Sequence, residues 1–415
     1  MPLKPIFTSL SPNVEKDDLN LVVRLIFRLF KPQKQQAQIL EQEFKQYLNA
    51  KHAFAFNAGR TAFLAILKSL NLTPGNEILI QGFTCNALVN PILAAGLKPI
   101  FVDIKETTFN IDPTDLETKI TDRTKAVVIQ HTFGLPADME KITDICQKYN
   151  LILIEDCAHA LGAEYNGRKL GSFGKASFFS FGRDKVISSV FGGLAVTNND
   201  DLAEKIRDYQ QSLPQASVWW IFQQLLHPIL TKYTVMPAYN LNGSLGKLKL
   251  ITLQKIGLLS KAVSNREKQG KMPENFARKM PEPLVAMALR QIEKLGKFID
   301  HQRQITQIYD NGLAGLGFGL PARQLGRIYL RYPILIKNQN TDKILEQARK
   351  QKIFLDDGWR KTVVVPPDTD QTKMNYRAGD CPVAEKVAKS IVNLPTHINI
   401  SQDDAARIIN FITKI

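Results

Sequence analysis

Leu151–Asp200 reads LILIEDCAHALGAEYNGRKLGSFGKASFFSFGRDKVISSVFGGLAVTNND. The apolar run LILI is short enough for a buried strand and delivers Glu155 and Asp156 to its carboxyl end. A second run, ASFFSF, delivers Ser180, and Lys185 follows beyond a turn at Gly182. The pair Gly192-Gly193 precedes a third run, LAVTN. Upstream the same pattern recurs in EILIQ, LKPIFVDI and KAVVIQH, separated by stretches of helical periodicity. That alternation predicts an α/β domain built on a mostly parallel sheet. In such sheets ligands sit at the carboxyl ends of the strands, so the residues that close each run carry the most information.

Outward from this core the chain divides. Residues 1–50 read as an N-terminal helical segment, 51–310 as the large α/β domain and 311–415 as a small C-terminal α+β domain, with a linker near 310–325. After the helix-like DLAEKIRDY the pattern becomes irregular at Pro214, Pro228, Pro237, Gly243 and Gly246. Residues 212–275 are therefore read as an apolar insertion or a contact excursion toward a second subunit. Helical periodicity resumes in LVAMALRQIEKLGKFIDHQRQITQIYDNGL. The small domain follows with strand-like RIYLRYPILI and helix-like DKILEQARKQK and DDAARIINFITKI.

At 415 residues and 44% hydrophobic, the chain is an ordinary globular mix with room for two domains. It is basic, with 54 Lys and Arg against 39 Asp and Glu. Such a surface attracts anions of many kinds, but no zinc-finger spacing, aromatic RNA-binding strand or dense basic run accompanies it, so nucleic acid is not expected as a partner. The four cysteines form no C-x-x-C pair, which fits a reducing compartment and predicts no metal site. The N-terminus lacks the layout of a secretory signal, and a cytoplasmic location is expected. Two segments, Leu19–Lys31 (LNLVVRLIFRLFK) and Val218–Leu230 (VWWIFQQLLHPIL), could lie weakly along a membrane surface as basic amphipathic helices. Packing on the protein's own core or on a second subunit is the favoured reading.

The strand ends carry a recognisable chemistry. Pyridoxal phosphate (PLP) asks for a lysine to form a Schiff base, a carboxylate at the pyridine nitrogen, donors for its phosphate and a group against its ring. Lys185 suits the first role, acting also as general base and acid, although a lysine after a strand is usually a surface lysine. Asp156 suits the second, although a strand-end aspartate alone more often caps a helix. His159 could meet the ring. In FAFNAGRTAFLAILKSLNL, a strand, a glycine turn and a helix start place Gly59, Arg60 and Thr61 where a phosphate binds best. Ser180 could add a hydroxyl from across the site.

Together these pieces resemble the DegT/DnrJ/EryC1/StrS family of sugar aminotransferases, closely over about 35–200 and more loosely over 280–415. Gly59-Arg60-Thr61-Ala62-Phe63 is similar to the family's G-[TS]-x-A-L, and HTFGLPADME to its H-x-x-G-x-P-x-D-M-D. GFTCNALVNPILAAGLKPIFVDI, EDCAHALGAEYNGRKLGSFGKASFFSF and CPVAEKVAKSIVNLPTH match further motifs in order. The resemblance implies a fold type I PLP-dependent transferase with a seven-stranded-type sheet. It implies Lys185 for the internal aldimine, Asp156 for the pyridine nitrogen and His159 against the cofactor. Thr61, Ser180 and the Arg60 backbone would hold the phosphate. Lys185 also sets the chain apart from the dehydratase branch, where histidine stands at this place. The family forms dimers whose active sites use both chains. Departures include FGRDK for F-H-x-x-K, Cys85 for a stacking aromatic, and a distorted N-Y-R-M at Asn275–Met280.

The function expected is amino transfer from an amino acid, glutamate in the first instance, to a keto group on a nucleotide-linked sugar. A keto-cyclitol or aminoshikimate-type ring is the alternative acceptor. A non-catalytic relative with a regulatory or membrane-surface role is a third reading, against which the intact Lys185, Asp156 and Ser180 argue.

Overall fold

The computed structural model describes residues 4–10, 13–30, 36–273, 275–337 and 339–415. Lys31, at the end of the first amphipathic segment, lies outside the described residues.

The central sheet has seven strands: β1 (His52–Phe56), β2 (Glu77–Gln81), β3 (Lys98–Val102), β4 (Thr124–Gln130), β5 (Ile152–Asp156), β6 (Ala176–Ser180) and β7 (Gly193–Thr197). Their spatial order is β3-β2-β4-β5-β6-β7-β1. All neighbours run parallel except at β7, which is antiparallel to both β6 and β1. Every strand except the edge strand β3 is almost wholly buried, as expected when helices cover both faces of a parallel sheet.

The carboxyl ends of these strands are knit together by the motif residues. Glu155, fully buried, accepts the N–H groups of Gly171 (2.8 Å), Phe173 (2.6 Å) and Gly174 (2.8 Å). His131 lies 3.3 Å from the same carboxylate, and its Nδ1 accepts the N–H of Ala137. That leaves Nε2 as the donor toward Glu155. His131, Glu155 and Cys157 lie close enough for a metal ion, but His131 and Glu155 already satisfy one another and the backbone. Asp103, at the end of the FVDI run, accepts the N–H groups of Val383 (2.8 Å) and Ala384 (2.9 Å) and so caps the helix Pro382–Ser390. Several of the motifs thus hold the scaffold rather than the chemistry.

C-terminal to the helix Leu295–Gly312, strand Arg331–Leu335 pairs antiparallel with Ile391–Pro395. The segment also meets the main domain along a short backbone seam. Val364–Val365 runs parallel beside Thr84–Cys85, and Thr84 N–H donates to the Val363 carbonyl at 3.0 Å.

The irregularity expected over 212–275 is corrected. Much of this stretch is helical: Val218–Leu230, a π turn at Thr231–Val235, Met236–Leu241 and Gly243–Lys255. Pro228 sits inside the first helix, and a π turn follows it at Thr231–Val235. Pro237 falls in a first helical turn, where no N–H is required of it, and Asn242 caps the last helix with its side chain. Among the described residues, no helix is long and apolar enough to cross a membrane.

Candidate active site

Strands β4, β5 and β6 point their carboxyl ends into a cavity of about 530 Å³. Six of the seven candidate residues line it: Gly59, Arg60, Asp156, His159, Ser180 and Lys185. A larger open groove of about 870 Å³, along Gln38, Glu41, Arg207 and Gln210, holds none of them.

Thr61 is the exception. It is fully buried, and its hydroxyl lies 2.8 Å from Asn57 Oδ1 and 2.7 Å from the Phe276 carbonyl. As the third residue of the helix α1 (Gly59–Ser69) it faces away from the cavity. The expectation that its hydroxyl holds the phosphate is therefore corrected. What the helix does offer is backbone. Ala58 at the N-cap has no side-chain cap, so the N–H groups of Gly59 and Arg60 find no protein acceptor among the described residues. Gly59 itself is set by close approach: a Cβ there would stand 2.8 Å from Ser180 Cβ and 3.0 Å from the Phe179 carbonyl. This packing brings the open helix terminus against the Ser180 end of β6.

Lys185 is half-buried in the cavity wall, and no described residue accepts a hydrogen bond from its amine. Burial, followed by the nearby Arg331 guanidinium, lowers its pKa to about 8. Asp156 closes β5 at 6% exposure; burial raises its carboxyl to about 6, against the pull of the Ala158 N–H (2.9 Å), Lys185 and His131. His159 is held well below its ordinary range by burial and by the Lys185 and Arg331 cations. Its Nδ1 accepts the Phe133 N–H at 3.3 Å, so the neutral ring carries its proton on Nε2. The ring lies parallel to Phe133 and edge-on to Trp359, with centroids 4.8 Å apart in the latter pair.

Other wall residues carry no local motif. Arg331 is 3% exposed, 3.1 Å from Asp357 and 3.8 Å from Asp184. Both carboxylates line the cavity, as do Trp359, Cys85 and Gln130. Cys85, where an aromatic was expected, uses its sulfur to accept the Ala87 N–H at a helix start. The 212–275 stretch also reaches the site, through Gln254, Lys261, Ala262, Val263 and Lys268. Two basic residues of the motifs hold it there. Arg60 is paired with Glu267 and donates to the Ala262 carbonyl at 3.3 Å. Arg183, from FGRDK, donates to the Ser260 carbonyl and hydroxyl. Both guanidiniums lie within 6 Å of the Phe191 ring centre, at 5.6 and 5.2 Å.

A sequence model of the DegT/DnrJ/EryC1/StrS aminotransferase family matches residues 28–413. The chain belongs to this family. Its members are PLP-dependent sugar aminotransferases, and the chain is such an enzyme. Among curated relatives it is 26% identical over 382 residues to the UDP-N-acetyl-3-dehydro-alpha-D-glucosamine 3-aminotransferase of Acidithiobacillus ferrooxidans, covering 91% of this chain and 88% of that one. With the GDP-perosamine synthase of Caulobacter vibrioides identity is 41% over 167 residues, 40% of this chain and 45% of that protein. The Helicobacter pylori aminotransferase PseC shares the fold at a TM-score of 0.75, with 24% identity over 99% of both chains.

The residues present fit PLP. An open helix N-terminus and a serine hydroxyl suit a phosphate, a buried carboxylate suits a protonated ring nitrogen, and an unpartnered lysine of lowered pKa suits an aldehyde.

Proposed function

We propose that the chain transfers the amino group of an amino acid, glutamate in the first instance, to the keto group of a nucleotide-activated sugar, as a cytoplasmic homodimer. The observation that carries this reading is that the Lys185 amine and the Asp156 carboxylate open onto one cavity, both withdrawn from bulk water.

When bound, PLP supplies an electron sink that loosens the bonds at the amino-bearing carbon. The chain's own residues do the rest. The N–H groups of Gly59 and Arg60 and the Ser180 hydroxyl bind the phosphate. Asp156 holds the ring nitrogen protonated, a cation beside it favouring its ionised form. His159 stays neutral against the ring. Lys185 would take a proton from the substrate carbon and return it nearby; a pKa of about 8 leaves an appreciable fraction of free amine near neutral pH. Arg183, Lys261, Lys268 and Arg331 on the wall suit a diphosphate-bearing substrate. The activated sugars in the names of the relatives support the same acceptor class.

Purified protein should bind PLP with a visible absorbance band that Lys185→Ala abolishes, and should consume glutamate with nucleotide-linked keto sugars. Turnover with keto-cyclitols alone would replace the acceptor. A colourless protein that takes up no PLP would end the reading.

A further inference from the structure

The stretch Tyr209–Arg266 contains no aspartate or glutamate, while Lys232, Lys247, Lys249, Lys255, Lys261 and Arg266 all fall within it. Among the described residues, none of its five lysines is paired with a carboxylate. Large apolar side chains stand exposed between them. Leu241 is 78% exposed, Leu248 61% and Ile256 60%.

The helix Gly243–Lys255 shows how they are arranged. Its inner side packs through Leu253 and Leu250 into a small cluster with Val235 and Leu259. At 3.6 residues per turn, Leu245, Leu248 and Ile251 then form a second stripe on the opposite, exposed side. Lys247 and Lys249 project from either flank of that stripe. A surface helix of a globular protein ordinarily needs one apolar face. This one has two, and only the inner face has a partner within the chain. The helix Lys16–Phe27, which packs against Val218–Leu230, likewise exposes Val23 and Phe27 beside Arg24.

We infer that this face docks on an anionic phospholipid surface. Exposed leucines and isoleucine flanked by lysines without carboxylate partners, in a stretch that has no acid, match an interface where acyl chains take the apolar groups and lipid phosphates take the cations. A second copy of the chain does not match. A twofold contact of this face with itself would bring two lysine-bearing patches together, and the stretch carries no acid to answer them. The placement also suits the fold: the docking helix ends at Lys255, beside Gln254 on the cavity rim, so an enzyme seated on lipid would keep its mouth close to the surface. The inference does not depend on the reaction catalysed.

Vesicle flotation of the full chain tests it. The chain should float with vesicles of phosphatidylcholine and phosphatidylglycerol in equal amounts, stay down with phosphatidylcholine alone, and be released by high salt. Each of Lys247→Gln and Lys249→Gln should weaken binding about fivefold. The triple variant Leu245→Ser, Leu248→Ser, Ile251→Ser should abolish flotation with its melting temperature and its mass by light scattering unchanged. Failure of the wild type to float with the anionic vesicles overturns the inference. So does a triple variant that still floats. A triple variant of smaller mass, with no flotation of the wild type, would assign the face to contact between copies.

Discussion

The Arg60 guanidinium closes on the carboxylate of Glu267. The first residue stands on the helix start that floors the cavity; the second lies where the chain returns from the insertion. Glu267 is buried and Arg60 nearly so, at 1% and 11% side-chain exposure, so either one without the other is a charge held largely out of water. Glu267→Gln or Arg60→Thr alone should each cost about 3–5 kcal/mol. The double variant should recover most of that loss. Urea denaturation of the three proteins measures it, and strictly additive losses would show that the pair is not coupled.

Asp156 presents the opposite case, a carboxylate that the fold tolerates at a cost. Its pKa rises on folding from 3.8 to about 6. The folded chain therefore binds more protons between those values, and the penalty is complete above pH 6. In the cofactor-free protein, Asp156→Asn should raise stability at pH 7 by up to about 3 kcal/mol. The same variant should lower turnover by about 100-fold or more, the scale set by losing one preorganised electrostatic group. Melting temperature and steady-state rate, measured on one preparation, separate the two effects.

Lys185 predicts a pH dependence for cofactor capture. Only the free amine attacks an aldehyde, and its pKa is about 8. The rate of PLP uptake by the cofactor-free protein should climb about tenfold per pH unit on the acid side and level off above pH 8. Stopped-flow absorbance follows the uptake directly. A profile still rising at pH 10 would mean the amine is not depressed.

His397 lies far from the chemistry and predicts acid sensitivity. Its Nε2 donates to the Phe7 carbonyl at 2.8 Å and its Nδ1 accepts the Asn399 N–H, a pattern only the neutral ring satisfies. Burial lowers its pKa to about 4 from 6.5. The unfolded chain binds the extra proton across that window, so stability is complete above 6.5 and falls as pH drops toward 4. The loss at the acid end is on the order of 3 kcal/mol from this residue. Denaturation midpoints across the window, compared with His397→Gln, isolate its share.

What could be read from the sequence followed from how locally each feature is determined. The seven strands are short apolar runs whose burial on both faces is written in consecutive residues, and Lys185 and Asp156 sit at fixed offsets from two of them. Arg331, Asp357 and Trp359 reach the cavity from the C-terminal part of the chain, and only the fold brings them there. Thr61 was misplaced because a helix turns 100° per residue: the position two beyond Gly59 cannot face the same ligand as Gly59 itself. Proline reads locally as a break, yet Pro228 is carried inside a helix and Pro237 falls in a first turn, so neither helix is legible from the residues alone. Arg60 and Arg183 had no visible partners along the chain, since Glu267 and Ser260 lie across the insertion.

The seam between Val364–Val365 and Thr84–Cys85 sets a rule for how this molecule can breathe. Cys85 and Val365 both belong to the cavity wall, so that edge is tied across by backbone ladder bonds. A swing that admits a bulky acceptor has to pivot about this edge, as a door does on its hinged side. The rim at residues 260–262, fastened instead by the side chains of Arg183 and Arg60, is where the gap would widen.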